Sequence, residues 1–200
     1  MIEKMKKFKI KKLMYPLIII TFFPTTLVFA ESFEALLEKA NNGDVKAQYQ
    51  VGYLYSSGNQ GVSFDEEKGV FWFKRAAEAG DSESQLSLAM SYLWGSGVGK
   101  NTRKGIEWLT KSANQNNAMA QYNLAEEYSD GKNIKKDLDL ANYWYLKSAE
   151  NGDVTAQFKL GSLYLDGNLG LPQDINKAKE WLKKAADQGY ELAQRQLTVL

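Results

Sequence analysis

The chain has 200 residues with 25 basic and 24 acidic side chains and neither cysteine nor histidine. That length suggests one or two domains. The two missing residue types exclude a thiolate nucleophile, a Ser-His-Asp triad, a histidine zinc site, the usual haem ligands, disulfides and a lipid-modified cysteine.

The first thirty residues read as a unit of their own. Lys4, Lys6, Lys7, Lys9, Lys11 and Lys12 precede an apolar stretch from Leu13 to Phe29, which closes on Val28-Phe29-Ala30. A basic, then apolar, then small-residue order predicts a secretory signal peptide over 1–30, cleaved after Ala30. The alternative is an uncleaved anchor. Seventeen residues broken by Pro16 and Pro24 are short for a span, which needs about 20. The expected location is periplasmic or secreted. Without six lysines and Glu3, the remainder keeps 25 − 6 = 19 basic and 24 − 1 = 23 acidic groups, a net −4. That balance speaks against nucleic acid, which calls for a basic face. A membrane partner is expected only through an unprocessed anchor.

From Ser32 onward the chain repeats. Ser32 to Gly43 reads as a shortened second helix of a unit, with Ala40 and Gly43 in register. Gln48, Gln85, Gln121, Gln157 and Gln194 then recur at spacings of 37, 36, 36 and 37. Seven residues after the first four stand Tyr55, Tyr92, Tyr128 and Tyr164, each opening Y-x-x-G. Trp72, Trp108, Trp144 and Trp181 follow at spacings of 36, 36 and 37. A period of this length marks a helical solenoid.

Each unit divides into helix A and helix B. In the first helix A, Gln48, Val51, Gly52 and Tyr55 share one face, and Gly52 recurs as Ala89, Ala125 and Gly161. A side chain that small admits a neighbouring backbone. The glycine of Y-x-x-G ends the helix. Helix B opens at Asp65, Asn101, Asp137 and Asp174, residues able to cap free amides. Gly80, Asn116, Gly152 and Gly189 close it. Glu191 to Leu200 is a helix A that stops before its tyrosine. The expected stack is about ten helices in one solenoid over 31–200, with repeats at about 44–80, 81–117, 118–152 and 153–189 and half-units as caps. The four tryptophans are expected to fill inter-helix space, and the glutamines to satisfy backbone groups at helix ends.

These residues resemble the Sel-like repeat, a relative of the tetratricopeptide repeat. AQFKLGSLYLDG with DINKAKEWLKKAADQG, between Ala156 and Gly189, carries the pattern most fully. The resemblance implies an all-α, right-handed α–α superhelix that binds proteins or peptides without a catalytic site or cofactor. It implies a range of roles, among them envelope adaptors, host-interaction factors and immunity proteins. A cysteine-rich branch linked to beta-lactams has no counterpart here, because this chain lacks the cysteines. Fold alone does not fix function.

Function is expected where the units differ, along the concave groove that helix A lines in such folds. The candidate groove residues are Tyr49, Tyr53, Leu86, Met90, Leu93, Trp94, Met119, Tyr122, Glu126, Phe158 and Leu165. Trp94 stands out because its place holds Ser57, Asp130 and Asp166 in the other units. Two readings stay open: a groove anchor, or local packing against Val98. The runner-up function is a cell-wall-directed hydrolase using paired carboxylates, drawn from Glu126, Glu127, Asp130 and Asp166. No loop with metal-ligand spacing is present, and GSGVGK (Gly95 to Lys100) lacks the strand and the ending of a phosphate loop.

Overall fold

Good capping residues stand where a helix must begin, and each of them is used. In the computed structural model, which describes residues 32–200, Asp65 accepts from the Lys68 amide, Asn101 from Lys104, Asp137 from Leu140 and Asp174 from Lys177, each at 3.0 Å. These residues start α3 (Glu66–Glu78), α5 (Thr102–Asn114), α7 (Leu138–Glu150) and α9 (Ile175–Asp187). Asp44, Asp81, Asn117 and Asp153 cap the A helices in the same way. Those are α2 (Val45–Ser57), α4 (Ser82–Trp94), α6 (Ala118–Asp130) and α8 (Val154–Asp166). The half-units are α1 (Phe33–Asn41) and α10 (Glu191–Leu197). The described residues contain these ten helices and no strand, and all fall in a single compact unit. None of the helices is long and apolar enough to cross a membrane. The predicted signal peptide lies outside the described residues.

Both helix ends stop as the composition requires. Gly58, Gly95, Gly131 and Gly167 end the A helices with φ between 64° and 83°. Asn116, at φ 63°, takes the left-handed turn that glycine takes after the other B helices. The tyrosine of Y-x-x-G closes the A–B loop through its backbone. The amides of Asp65, Asn101, Asp137 and Asp174 donate to the carbonyls of Tyr55, Tyr92, Tyr128 and Tyr164 at 2.8–3.0 Å.

Packing follows chain order: each helix lies chiefly against its sequence neighbours, giving a right-handed α–α superhelical solenoid. The A and B helices of a unit meet at the small residues. A Cβ on Gly52 would lie 2.7 Å from Phe73 and 3.1 Å from the Gly69 carbonyl. A Cβ on Gly105 would lie 3.1 Å from the Ala89 carbonyl.

The glutamines do what was expected of them. Gln48, Gln85, Gln121, Gln157 and Gln194 each donate to the carbonyl eight residues earlier, at the end of the preceding B helix, at 3.0–3.2 Å. Three also accept from the end of their own unit's B helix: Gln85 from Gln115, Gln121 from Asn151 and Gln157 from Gln188, at 2.8–2.9 Å. A ladder of buried amides therefore ties unit to unit.

The tryptophans depart from expectation. Trp72 is buried at 5% exposure, but Trp108, Trp144 and Trp181 are only half-buried. Lys111 and Lys184 lie over the rings of Trp108 and Trp181 at 3.8 and 3.9 Å. The buried residue of each B helix is the one after the tryptophan. Leu109, Tyr145 and Leu182 have no exposure and Phe73 has 6%. The indole, the larger and more amphipathic group, roofs the core where its edge reaches water.

Candidate functional site

Rows along the A helices can be counted from the repeating glutamine. The row one residue on, Tyr49, Leu86, Tyr122 and Phe158, turns inward. Tyr49 packs on Phe73, Tyr122 on Tyr145 and Phe158 on Tyr190, with ring centroids 5.9, 5.8 and 5.0 Å apart. Leu86 is a core residue. The row eight on is divided. Leu93 is buried over Gly105, Ser56 sits over Gly69, and Leu165 is half-buried. Leu86 and Leu93, both expected in the groove, thus belong to the core instead. Leucine suits either place, and only the register against helix B decides.

The surface row is the fifth: Tyr53, Met90, Glu126 and Ser162. Tyr53 is 51% exposed and Met90 is half-buried. Glu126 bridges two units, because it accepts from the Tyr145 hydroxyl and pairs with Lys159 at 3.2 Å. Burial first, then Glu126 through its hydrogen bond and its charge, pushes the Tyr145 and Tyr122 hydroxyls well above the ordinary tyrosine range. Both phenols therefore stay neutral, and that of Tyr145 donates to Glu126. Two other carboxylates of the acidic set, Asp130 and Glu127, are also engaged. Asp130 pairs with Lys132 at 3.2 Å, and the Lys132 amide holds it below the usual carboxylate range. Glu127 accepts from Asn133 at 3.1 Å through Oε1, while its Oε2 is buried without a hydrogen-bond partner. No group of acidic side chains able to hold a metal occurs among the described residues.

Trp94 is the residue the fold leaves out. It closes α4 at 73% exposure and joins none of the apolar clusters of the core. Val98, its alternative partner, packs with Val70, Phe73, Ala77 and Leu88. Trp94 and Met90 line one cavity of about 200 Å³ between α2 and α4, with Val70 and Phe73 from α3 among its lining. Glu66, Ser91 and Ser96 also line it, and sequence reasoning singled out none of these. The signal for Ser91 was available, since the equivalent places in units 1 and 4 hold leucine. Met119 is 59% exposed but sits at the opposite end of its helix, in a polar depression with Glu83, Asn117 and Asp153. Its register differs from that of Trp94 by eleven residues, which is about 16 Å along a helix axis. Trp94 and Met119 therefore belong to different places.

Three comparisons place the chain among known proteins. The Sel1 repeat matches four times, at residues 45–81, 82–117, 118–153 and 154–190. The solved c5321, a protective antigen of uropathogenic Escherichia coli with an SLR fold, superposes with TM-score 0.77 at 34% identity, over 84% of this chain and 36% of that one. A Sel1 repeat protein from Oxalobacter formigenes superposes with TM-score 0.71 at 30% identity, over 82% of this chain and 72% of that one. Among curated proteins, the Sel1-repeat-containing YbeQ of E. coli K12 is 41% identical over 46 residues, 23% of this chain. The chain spans only 10–14% of the length of the curated relatives it matches. With four repeats in tandem and the SLR fold, the chain belongs to the Sel1 repeat family.

Proposed function

We propose that the A-helix face is a concave groove for a segment of a protein partner, with Trp94 as its main anchor. Sel1 repeat proteins act as protein–protein interaction scaffolds. The finer reading rests on one observation: Trp94 is 73% exposed where Ser57, Asp130 and Asp166 stand in the other units. The fold gains nothing from an indole there. Isolated exposed tryptophans beside apolar concavities are favoured interface anchors. Tyr53 and Met90 stand on the same helix face, Met90 one turn before Trp94.

The setting we propose is the bacterial envelope or exterior, as the first thirty residues suggest. The protective-antigen role of c5321 is in keeping with it. An immunity or host-interaction role fits within this reading. The hydrolase alternative gains no support from Glu126, whose carboxylate is engaged by Tyr145 and Lys159.

Site-specific photo-crosslinking in the native host tests the assignment. A photoreactive side chain at position 53 or 90 is expected to trap a partner, whereas positions 71 and 143 on the B helices are not. Crosslinks confined to 71 and 143 would move the interface to the other face.

A further inference from the structure

Six residues after each repeating glutamine stand Leu54, Ser91, Glu127 and Leu163. This row packs toward the preceding unit. Leu54 lies with Leu36 and Ala40 of α1, and Leu163 with Ala125, Ala141 and Tyr145 of unit 3. Unit 2 has only a serine there. The Ser91 hydroxyl turns back along α4 to the Ser87 carbonyl at 2.9 Å. It is therefore satisfied within its own helix and leaves the cavity beside it apolar. The volume that leucine fills in units 1 and 4 is here an opening of about 200 Å³, lined by Val70 and Phe73 and by the exposed Trp94. Glu66 also lines it. Among the described residues Glu66 meets no lysine or arginine, whereas its neighbour Asp65 pairs with Lys68 at 3.0 Å.

We infer that this cavity is a pocket for one branched aliphatic side chain of the partner, next to a lysine or arginine that meets Glu66. The inference rests on the A-helix face being the partner-binding face. The chain itself indicates the shape of the occupant, because it places leucine at this register in two other units. Glu66 indicates the neighbouring charge. A carboxylate with no cation of its own, at the rim of an apolar cavity, favours a basic residue and fixes the direction of the incoming segment. Burial of the aliphatic group supplies the attraction.

The test is an NMR titration of the 15N-labelled full chain with 3-methylbutylamine, which joins a leucine-like branch to an ammonium group. The neutral 3-methylbutan-1-ol is run beside it. Both are expected to shift the Trp94 indole and Ser91 amide signals saturably. The amine should bind roughly two- to five-fold more tightly, the weight of one exposed ion pair. Glu66→Gln should remove that difference. Ser91→Leu, and the smaller Ser91→Val, should abolish binding of both probes without lowering the melting temperature. Saturable shifts that survive in Ser91→Leu would overturn the pocket, as would equal binding of amine and alcohol to the wild type. Partner capture separates this from the wider reading. Capture kept by Ser91→Leu but lost in Trp94→Ala would overturn the pocket and leave the groove standing. Capture kept by both variants would overturn the pocket and the groove together.

Discussion

Gln121 and Asn151, thirty residues apart at the two ends of unit 3, are joined by a 2.8 Å hydrogen bond from the Asn151 amide to the Gln121 side-chain oxygen. The Gln121 amide donates in turn to the Ala113 carbonyl at 3.0 Å. One fully buried side chain thus ties the end of the preceding unit's B helix to the end of its own unit's B helix.

Gln121→Ala should therefore destabilise the chain beyond its lost packing. It removes two hydrogen bonds, although the Ala113 carbonyl keeps the Asn116 amide at 3.1 Å and the exposed Asn151 amide can turn to water, at a cost of about 1–3 kcal/mol for the pair. Combining it with Asn151→Ala should cost less than the sum of the two. Denaturant unfolding of the four proteins of this cycle measures the coupling, and strict additivity would show that the ladder is not a unit.

The core prediction contrasts Leu109 with Trp94. Leu109→Ala empties a fully buried site and should cost about 2–5 kcal/mol. Trp94→Ala should stay within about 0.5 kcal/mol of wild type, as an exposed substitution. Trp108→Ala should fall between them, because its ring is half-buried under Lys111. Thermal melts rank the three, and a Trp94→Ala loss as large as that of Leu109→Ala would return Trp94 to the core.

That ranking also marks how far the sequence could be read. Recurrence fixed the units, the half-unit ends, the B-helix caps and the role of the glutamines, because each of these makes a local or strictly repeated backbone bond. Recurrence does not report orientation. Tryptophan recurs four times and three copies are half-exposed, while the buried place beside it changes among Phe73, Leu109, Tyr145 and Leu182. Leu86 and Leu93 were assigned to the groove for the same reason. Trp94 was legible because it breaks the pattern. The serine at Ser91 breaks it too, but a missing side chain shows only when its neighbours are in place.

Close approach of the two helices within a unit predicts that Gly52→Ala is destabilising, although alanine favours helices. Its Cβ would meet the Phe73 ring at 2.7 Å and the Gly69 carbonyl at 3.1 Å. Overpacking of this kind costs about 1–3 kcal/mol. Phe73→Leu in the same chain should recover part of that loss, and no recovery would place the strain in the backbone contact alone.

Alkaline pH should weaken the junction of units 3 and 4. Tyr145 is held neutral in the folded chain by burial and by Glu126, far above the ordinary value of 10.0. An unfolded tyrosine ionises near 10, so above about pH 10 the unfolded chain releases a proton that the folded chain keeps, and stability falls as pH rises. The contribution is complete below that pH. Tyr145→Phe should show a shallower decline between about pH 9 and 11, read from urea unfolding at each pH. Parallel curves for the two proteins would contradict this.

The most direct measurement of the central claim is quantitative partner capture from the native host with the wild-type chain, Trp94→Ala and Phe71→Ala. Phe71 is also exposed, at 54%, but lies on α3 outside the A-helix face. A partner retained by wild type and Phe71→Ala and lost by Trp94→Ala, with all three chains melting alike, is the expected result. A partner lost by Phe71→Ala and kept by Trp94→Ala would contradict the account.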